Sequence, residues 1–390
     1  MELSLLFWLL LPIAASSGWL AAKRSLSRQS EHNARHLSSN YLQGLNYLLN
    51  EQPDKAIDIF IKLIDVDSET VETHLALGVL FRRRGEVNRA IRIHQNLVVR
   101  SSLNPQQRAL ALLELAQDYQ RAGLLDRAEH LFLELIENGH YRNFSCHQLL
   151  DIYQQEHDWS KAVDVALQLM DYSGENMNPV IAQYYCEQAD QLRRQQQVEQ
   201  AHKKIHQALK IDPACVRASL LEGQLALDNC QPLQAIHAFQ RVEQQDALFL
   251  SEAIEPLQHC YREDGRMDEF ARYLQRILQA YGGITPMLVL ARLIHEQTDA
   301  SAALQFVVRQ LRERPSLRGL DHFIDISLPG AEGDAKENLL LLKDITSQLL
   351  KNRPIYKCRE CGFTGKTLYW QCPSCKLWNT VKPIQGIEGE

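Results

Sequence analysis

The chain has 390 residues, 45% of them hydrophobic and 23% charged, a balance that excludes a disordered or low-complexity polypeptide and allows two or three folded domains. Its formal net charge of −6 excludes a globally polyanion-seeking protein. Five of the nine cysteines (Cys146, Cys186, Cys215, Cys230, Cys260) are scattered without regular spacing, as reduced core fillers are, which favours a reducing compartment over a disulfide framework.

The first element is an apolar run from Leu3 to Ala22 with no charged residue. A helix rising ~1.5 Å per residue over such a run crosses a ~30 Å hydrocarbon layer, and Trp8 and Trp19 suit its interfaces. Only Glu2 precedes it, whereas Lys23, Arg24 and Arg28 follow, the reverse of a cleaved signal peptide. The positive-inside rule then predicts an uncleaved single-pass anchor over 1–22, with the bulk of the chain on the cytoplasmic side of the membrane. Residues 23–36 read as a polar juxtamembrane linker.

From residue 37 the sequence repeats. Taking Gly44, Gly78, Ala116, Leu150, Ala189, Gly223 and Gln258 as one position gives spacings of 34, 38, 34, 39, 34 and 35. Three residues on from these the series is Tyr47, Phe81, Tyr119, Tyr153, Leu192, Ala226 and Tyr261; twelve on it is Ala56, Ala90, Ala128, Ala162, Ala201, Ala235 and Phe270. Sixteen on come Phe60, His94, Phe132, Ala166, Ile205, Phe239 and Leu274, expected to fill the groove to the next pair. A small residue where paired helices cross, recurring about every 34 residues, is the mark of a tetratricopeptide array. Gly85, Gly123 and Gly265 fall at the turn between paired helices, where positive φ is easiest. The predicted fold class is an all-α tetratricopeptide-repeat solenoid, a right-handed superhelix, over 37–315. An eighth pair fits Pro286 to Pro315, and 316–353 hold degenerate capping helices interrupted by Pro329-Gly330.

The segment 354–390 reads as a small ribbon. Cys358, Cys361, Cys372 and Cys375 form two CxxC knuckles separated by ten residues, a spacing that points four thiolates at one ion. A structural metal, zinc or iron, is predicted, with no open coordination position for catalysis. Tyr356, Phe363, Tyr369, Trp370 and Trp378 are expected to build a small core around it. From Lys351 to Lys382 the ribbon carries seven basic residues against one acid.

No catalytic constellation is found, so the chain reads as non-enzymatic. Gly362-Phe-Thr-Gly365-Lys366-Thr367 has two residues between its glycines where a phosphate loop needs four, and His295-Glu296 lacks the second histidine of a zinc-protease helix. Arg82, Arg83, Arg121, Arg193 and Arg194 sit near the ends of first helices and are candidates for partner binding; equally, basic residues at a helix C-terminus favour the macrodipole by ~0.3–1 kcal/mol.

Gly85-Glu86-Val87, Arg89-Ala90-Ile91-Arg92-Ile93-His94-Gln95, Thr367-Leu368-Tyr369-Trp370, Cys372-Pro373-Ser374-Cys375 and Lys382-Pro383-Ile384, in the order anchor, array, ribbon, resemble the lipopolysaccharide assembly protein B family over essentially the whole chain. The resemblance implies an inner-membrane regulatory adaptor for lipopolysaccharide biosynthesis with a rubredoxin-like ribbon, its metal ligands matching Cys358, Cys361, Cys372 and Cys375. It also implies partners: a membrane-bound AAA+ zinc protease, the lipid A deacetylase acting on UDP-acyl-N-acetylglucosamine, and an inner-membrane regulator with a periplasmic domain. Homo-oligomer formation is compatible with this role. The alternative is a nucleic-acid- or nucleotide-binding scaffold acting through the basic ribbon, against which stand the anchor and the acidic body. A third reading, electron transfer through the four thiolates, requires bound iron with a visible chromophore.

Overall fold

The computed structural model describes residues 71–390 except 102, 352, 388 and 390, together with Gln43, Gly44, Asn46, Tyr47, Lys55 and Ile59. The predicted anchor over 1–22, the linker over 23–36 and Ala56 and Phe60 of the first repeat lie outside the described residues. Among the described residues no helix is long and apolar enough to cross a membrane. The chain divides into two compact units at Glu156/His157.

The first unit holds α1 (Val71–Arg83), α2 (Val87–Val98), α3 (Pro105–Arg121), α4 (Leu125–Glu137) and α5 (Arg142–Glu156). Its packing follows the size code of the repeat. Ala90 and Ala128 are fully buried where paired helices cross. A Cβ at Gly78 would overlap the His94 ring, so the glycine of α1 makes the seat for the histidine of α2. His94 is fully buried, and its Nδ1 lies 2.5 Å from Asp118 Oδ2 on α3, which is also fully buried. Thus His94 both seats within its own pair and joins it to the next. Arg82 completes the junction, donating to Asp118 Oδ1 at 2.8 Å and to Glu114 Oε2 at 2.5 Å. Burial works against the Arg82 charge, but its bonds to Asp118 and Glu114 outweigh that and hold its pKa above the ordinary value.

The second unit continues with α6 (Trp159–Ser173), α7 (Asn178–Arg194), α8 (Val198–Ile211), α9 (Val216–Asp228) and α10 (Pro232–Gln245). A 3-10 turn (Ala247–Phe249) leads into α11 (Leu250–Glu263), α12 (Met267–Ala280), α13 (Ile284–Gln297) and α14 (Ala300–Glu313). The same code operates: a Cβ at Gly223 would come within 2.5 Å of the Phe239 ring. Ala162, Ala201 and Ala235 are fully buried, as is Phe270 where the series departs from alanine. The stack closes with α15 (Leu317–Ser327) and α16 (Gly333–Lys351), joined across a 3-10 turn at Leu328–Gly330. Lys343 of α16 donates to Asp321 at 2.8 Å and Asp325 at 2.6 Å on α15, and the Thr346 hydroxyl donates to Asp321 at 2.7 Å.

The turns inside the pairs share one conformation. Seven residues after the small position stand Gly85, Gly123, His157, Gln196, Cys230 and Gly265, with φ of 84°, 75°, 58°, 60°, 55° and 69°. At five of them the next residue's N–H reaches back to the carbonyl five residues earlier: Glu86 to Phe81, Leu124 to Tyr119, Gln197 to Leu192, Gln231 to Ala226 and Arg266 to Tyr261, all at 2.9 Å. That is a Schellman closure, which satisfies carbonyls left free at the helix end. Three of the six carry glycine, as expected; the others accept the left-handed backbone with a side chain attached.

Removing one member of a buried charged cluster strands the rest. Asp118→Ala is expected to destabilise the first unit by roughly 3 kcal/mol, read as a lowered denaturant midpoint; a shift within about 0.5 kcal/mol, the usual range for surface substitutions, would refute the assigned role.

Candidate metal centre

Residues 356–383 build a three-stranded antiparallel sheet in the order β2-β1-β3, with β1 (Tyr356–Cys358), β2 (Thr364–Gly365) and β3 (Val381–Pro383). Tyr356 pairs with Gly365 on one side and Pro383 on the other, and Cys358 pairs with Val381. Each CxxC closes the same way. Gly362 N–H donates to the Cys358 carbonyl at 3.1 Å, and Lys376 N–H to the Cys372 carbonyl at 2.9 Å. Cys358 N–H donates to the Phe363 carbonyl at 2.7 Å, and Cys372 N–H to the Leu377 carbonyl at 2.9 Å. The residue after the second cysteine is left-handed in both, Gly362 at φ 77° and Lys376 at 61°.

These two knuckles bring all four sulfurs within 4.8 Å of one another. Cys358 Sγ to Cys375 Sγ is 3.8 Å and Cys361 Sγ to Cys372 Sγ is 3.6 Å. A tetrahedron of metal–sulfur bonds of about 2.3 Å has edges of about 3.8 Å, so the donor set fits one four-coordinate ion. The local field prepares it. Burial opposes ionisation of Cys358, but the backbone N–H groups of Cys361 and Glu360 and the Thr380 hydroxyl outweigh it and pull the thiol down to about 6. The Phe363 N–H draws Cys361 below its ordinary value. At Cys375 the Leu377 N–H favours the thiolate, yet burial and the neighbouring sulfurs prevail and push it up to about 11. Accumulating negative charge on four adjacent sulfurs is what a divalent or trivalent cation relieves.

The ribbon's own buried hydrophobic cluster is Cys358, Cys372 and Val381, edged by Tyr356, Phe363, Leu368 and Cys375. Two of the three are ligands. So small a core needs the ion for its folding energy. Tyr369 joins it by an edge contact with Phe363 at 5.9 Å. Trp370 and Trp378, expected in that core, instead pack onto the helices. Trp378 meets Tyr184 of α7 at 5.8 Å and Trp159 of α6 at 6.1 Å, each edge-on. Trp370 stacks on Phe249 at 5.3 Å, with the Arg217 guanidinium of α9 over its ring. Lys382 donates to Asp246 at 2.8 Å and lies over Phe249, while the Tyr356 hydroxyl donates to Glu252 at 2.7 Å. Beyond β3, Leu317 N–H donates to the Ile387 carbonyl at 3.0 Å, pinning the tail to the start of α15.

The arginines proposed for partner binding fall in both units, some held in ion pairs and others exposed. Arg82 spends its donors on Glu114 and Asp118. Arg193 bonds Asp228 at 2.8 Å and Asp190 at 3.3 Å, and Arg194 bonds Asp190 at 2.7 Å while staying largely exposed. Arg83 and Arg121 are exposed at helix ends. The docking residues Trp159, Tyr184, Arg217, Asp246 and Phe249 carry no local motif; the signal available in sequence was the pair of tryptophans flanking the second knuckle, more aromatic surface than so small a ribbon can bury.

A family model described as the rubredoxin metal binding domain matches residues 356–383, and tetratricopeptide repeat models match 73–109 and 186–248. Lipopolysaccharide assembly protein B of Escherichia coli strain K12 is 41% identical over 385 residues, spanning 98% of this chain and 99% of that one. The protein of the same name from Haemophilus influenzae is 37% identical over 393 residues, with the same coverage. Among solved structures, a tetratricopeptide repeat protein from Parabacteroides merdae covers 72% of this chain and 99% of its own at 13% identity and a TM-score of 0.31, too loose a likeness to add to the fold.

Cys372→Ser removes a ligand from the better-buried half of the site. The variant is expected to lose stoichiometric metal in elemental analysis while keeping the helical circular dichroism of the repeats; retention of one ion per chain would contradict the four-sulfur assignment.

Proposed function

The chain belongs to the lipopolysaccharide assembly protein B family, and from that kinship we propose that it is a regulatory adaptor of lipopolysaccharide biosynthesis at the inner membrane. The carrying observation is the end-to-end correspondence, 41% identity over 98% of the chain, across both the repeats and the metal ribbon. In this reading the chain presents the UDP-acyl-N-acetylglucosamine deacetylase to a membrane-bound AAA+ zinc protease and so promotes its degradation. An inner-membrane regulator with a periplasmic domain opposes it when demand for lipopolysaccharide is high.

A stack of helix pairs suits this work because each pair contributes a strip of surface, and the strips sum to an area large enough for a protein partner. Exposed Arg83 and Arg121 offer charged contacts on the first unit, and exposed Arg194 on the second. The apolar run from Leu3 to Ala22 supplies the anchor in this reading, and confinement to the plane of the protease's membrane raises effective concentration so that modest affinities act. The ribbon's part is structural: its closed four-sulfur site keeps no position for substrate.

The half-life of the deacetylase, followed after translation arrest, tests this. Depleting the chain is expected to lengthen it several-fold, and a variant lacking residues 1–22 is expected to leave it lengthened. An unchanged half-life on depletion would remove the adaptor reading; full restoration by the anchorless variant would remove the membrane from it.

A further inference from the structure

Among the described residues, nothing covers an apolar face on the last helix of the stack. On α16, Lys343 and Thr346 turn inward to Asp321, and on the far side Leu341 is 60% exposed, with Ile345 and Leu349 at 44% each. These three recur every four residues, one stripe along the helix, with Leu342 beside it at 47%. A terminal helix pair usually presents a polar outer face. Here it presents leucines.

We propose that this face is a self-association surface that pairs antiparallel with the same face of a second copy, about a two-fold axis at Ile345. The stripe is a palindrome about that residue: the axis sets Ile345 against itself and Leu341 against the second copy's Leu349. The charges agree. Exposed Asp334 and Glu337 precede the stripe and exposed Lys351 follows it, so antiparallel pairing brings each acidic end within about a turn of the opposite basic end and opposes the helix dipoles. A parallel pair would set like charges together. An anionic lipid surface fits less well, because the N-terminal border of the stripe is acidic. One helix pair covers less than the ~800 Å² per partner of a standard interface, so the association is reversible and concentration-dependent.

Two experiments on the full chain with its metal test this. In sedimentation velocity the wild type is expected to move from monomer to dimer as concentration rises, and Ile345→Asp to stay monomeric with unchanged circular dichroism and metal content. In a Cys230→Ser background, Ile345→Cys is expected to crosslink into dimers under mild oxidation. Asp334→Cys is not, because its two copies would stand about 33 Å apart at ~1.5 Å of rise per residue. A wild type that stays monomeric, a dimer that survives Ile345→Asp, equal crosslinking at both positions, or a monomer that binds anionic vesicles through Leu341 and Ile345 would each overturn the proposal.

Discussion

The arrangement of the second unit depends on the hairpin around Cys372 and Cys375. Its two arms are tied by the Gln371–Trp378 bridge and by Asn379 N–H donating to the Trp370 carbonyl at 2.7 Å. The metal ligands therefore fix the separation of the two tryptophans. One tryptophan reaches α6 and α7, and the other reaches α9 and the 3-10 turn before α11, so a single knuckle grips four elements of the stack. Aromatic pairs of this kind contribute about 0.5–1.5 kcal/mol each beyond the area they bury. A ribbon with almost no core of its own acquires one by borrowing from the repeats, and the repeats acquire a brace. The metal thus acts on the helices at one remove, through the geometry of a hairpin.

The repeats solve a different constraint, close approach of helices whose side chains must interdigitate. The solution trades size between positions: glycine at 78 under the His94 ring, glycine at 223 under Phe239. One buried polar cluster within this packing is answered throughout. His94 and Asp118 are buried together, and Arg82 closes the cluster from the preceding pair. The cluster links adjacent repeats with directional bonds, where apolar contacts alone would tolerate slippage.

Local and periodic features were legible in the sequence. The four cysteines declare a metal site because their spacing sets the knuckle turns directly, and the alanine series marks helix crossings because sterics admit little else there. The left-handed turns were half legible: Gly85, Gly123 and Gly265 announce them, whereas His157, Gln196 and Cys230 hide the same conformation behind a side chain. The arginines were placed at the right helix ends, but their answering acids lie one repeat downstream, Asp118 for Arg82 and Asp228 for Arg193, separations of 36 and 35 residues. Reading charge at the repeat period would have found them. The docking of the ribbon had no such signal. Lys382 and Asp246 are 136 residues apart, and their pairing follows from the whole stack having folded.

Bound metal in the ribbon is expected to brace helices distant in sequence. Amide hydrogen exchange on the full chain, with metal bound and after chelation, tests it most directly. Chelation is expected to accelerate exchange in the ribbon and also in α6, α7 and α9 to α11, and to leave α1 to α4 unchanged. Acceleration confined to residues 354–387 would contradict it, leaving the ribbon a passenger on a self-sufficient stack.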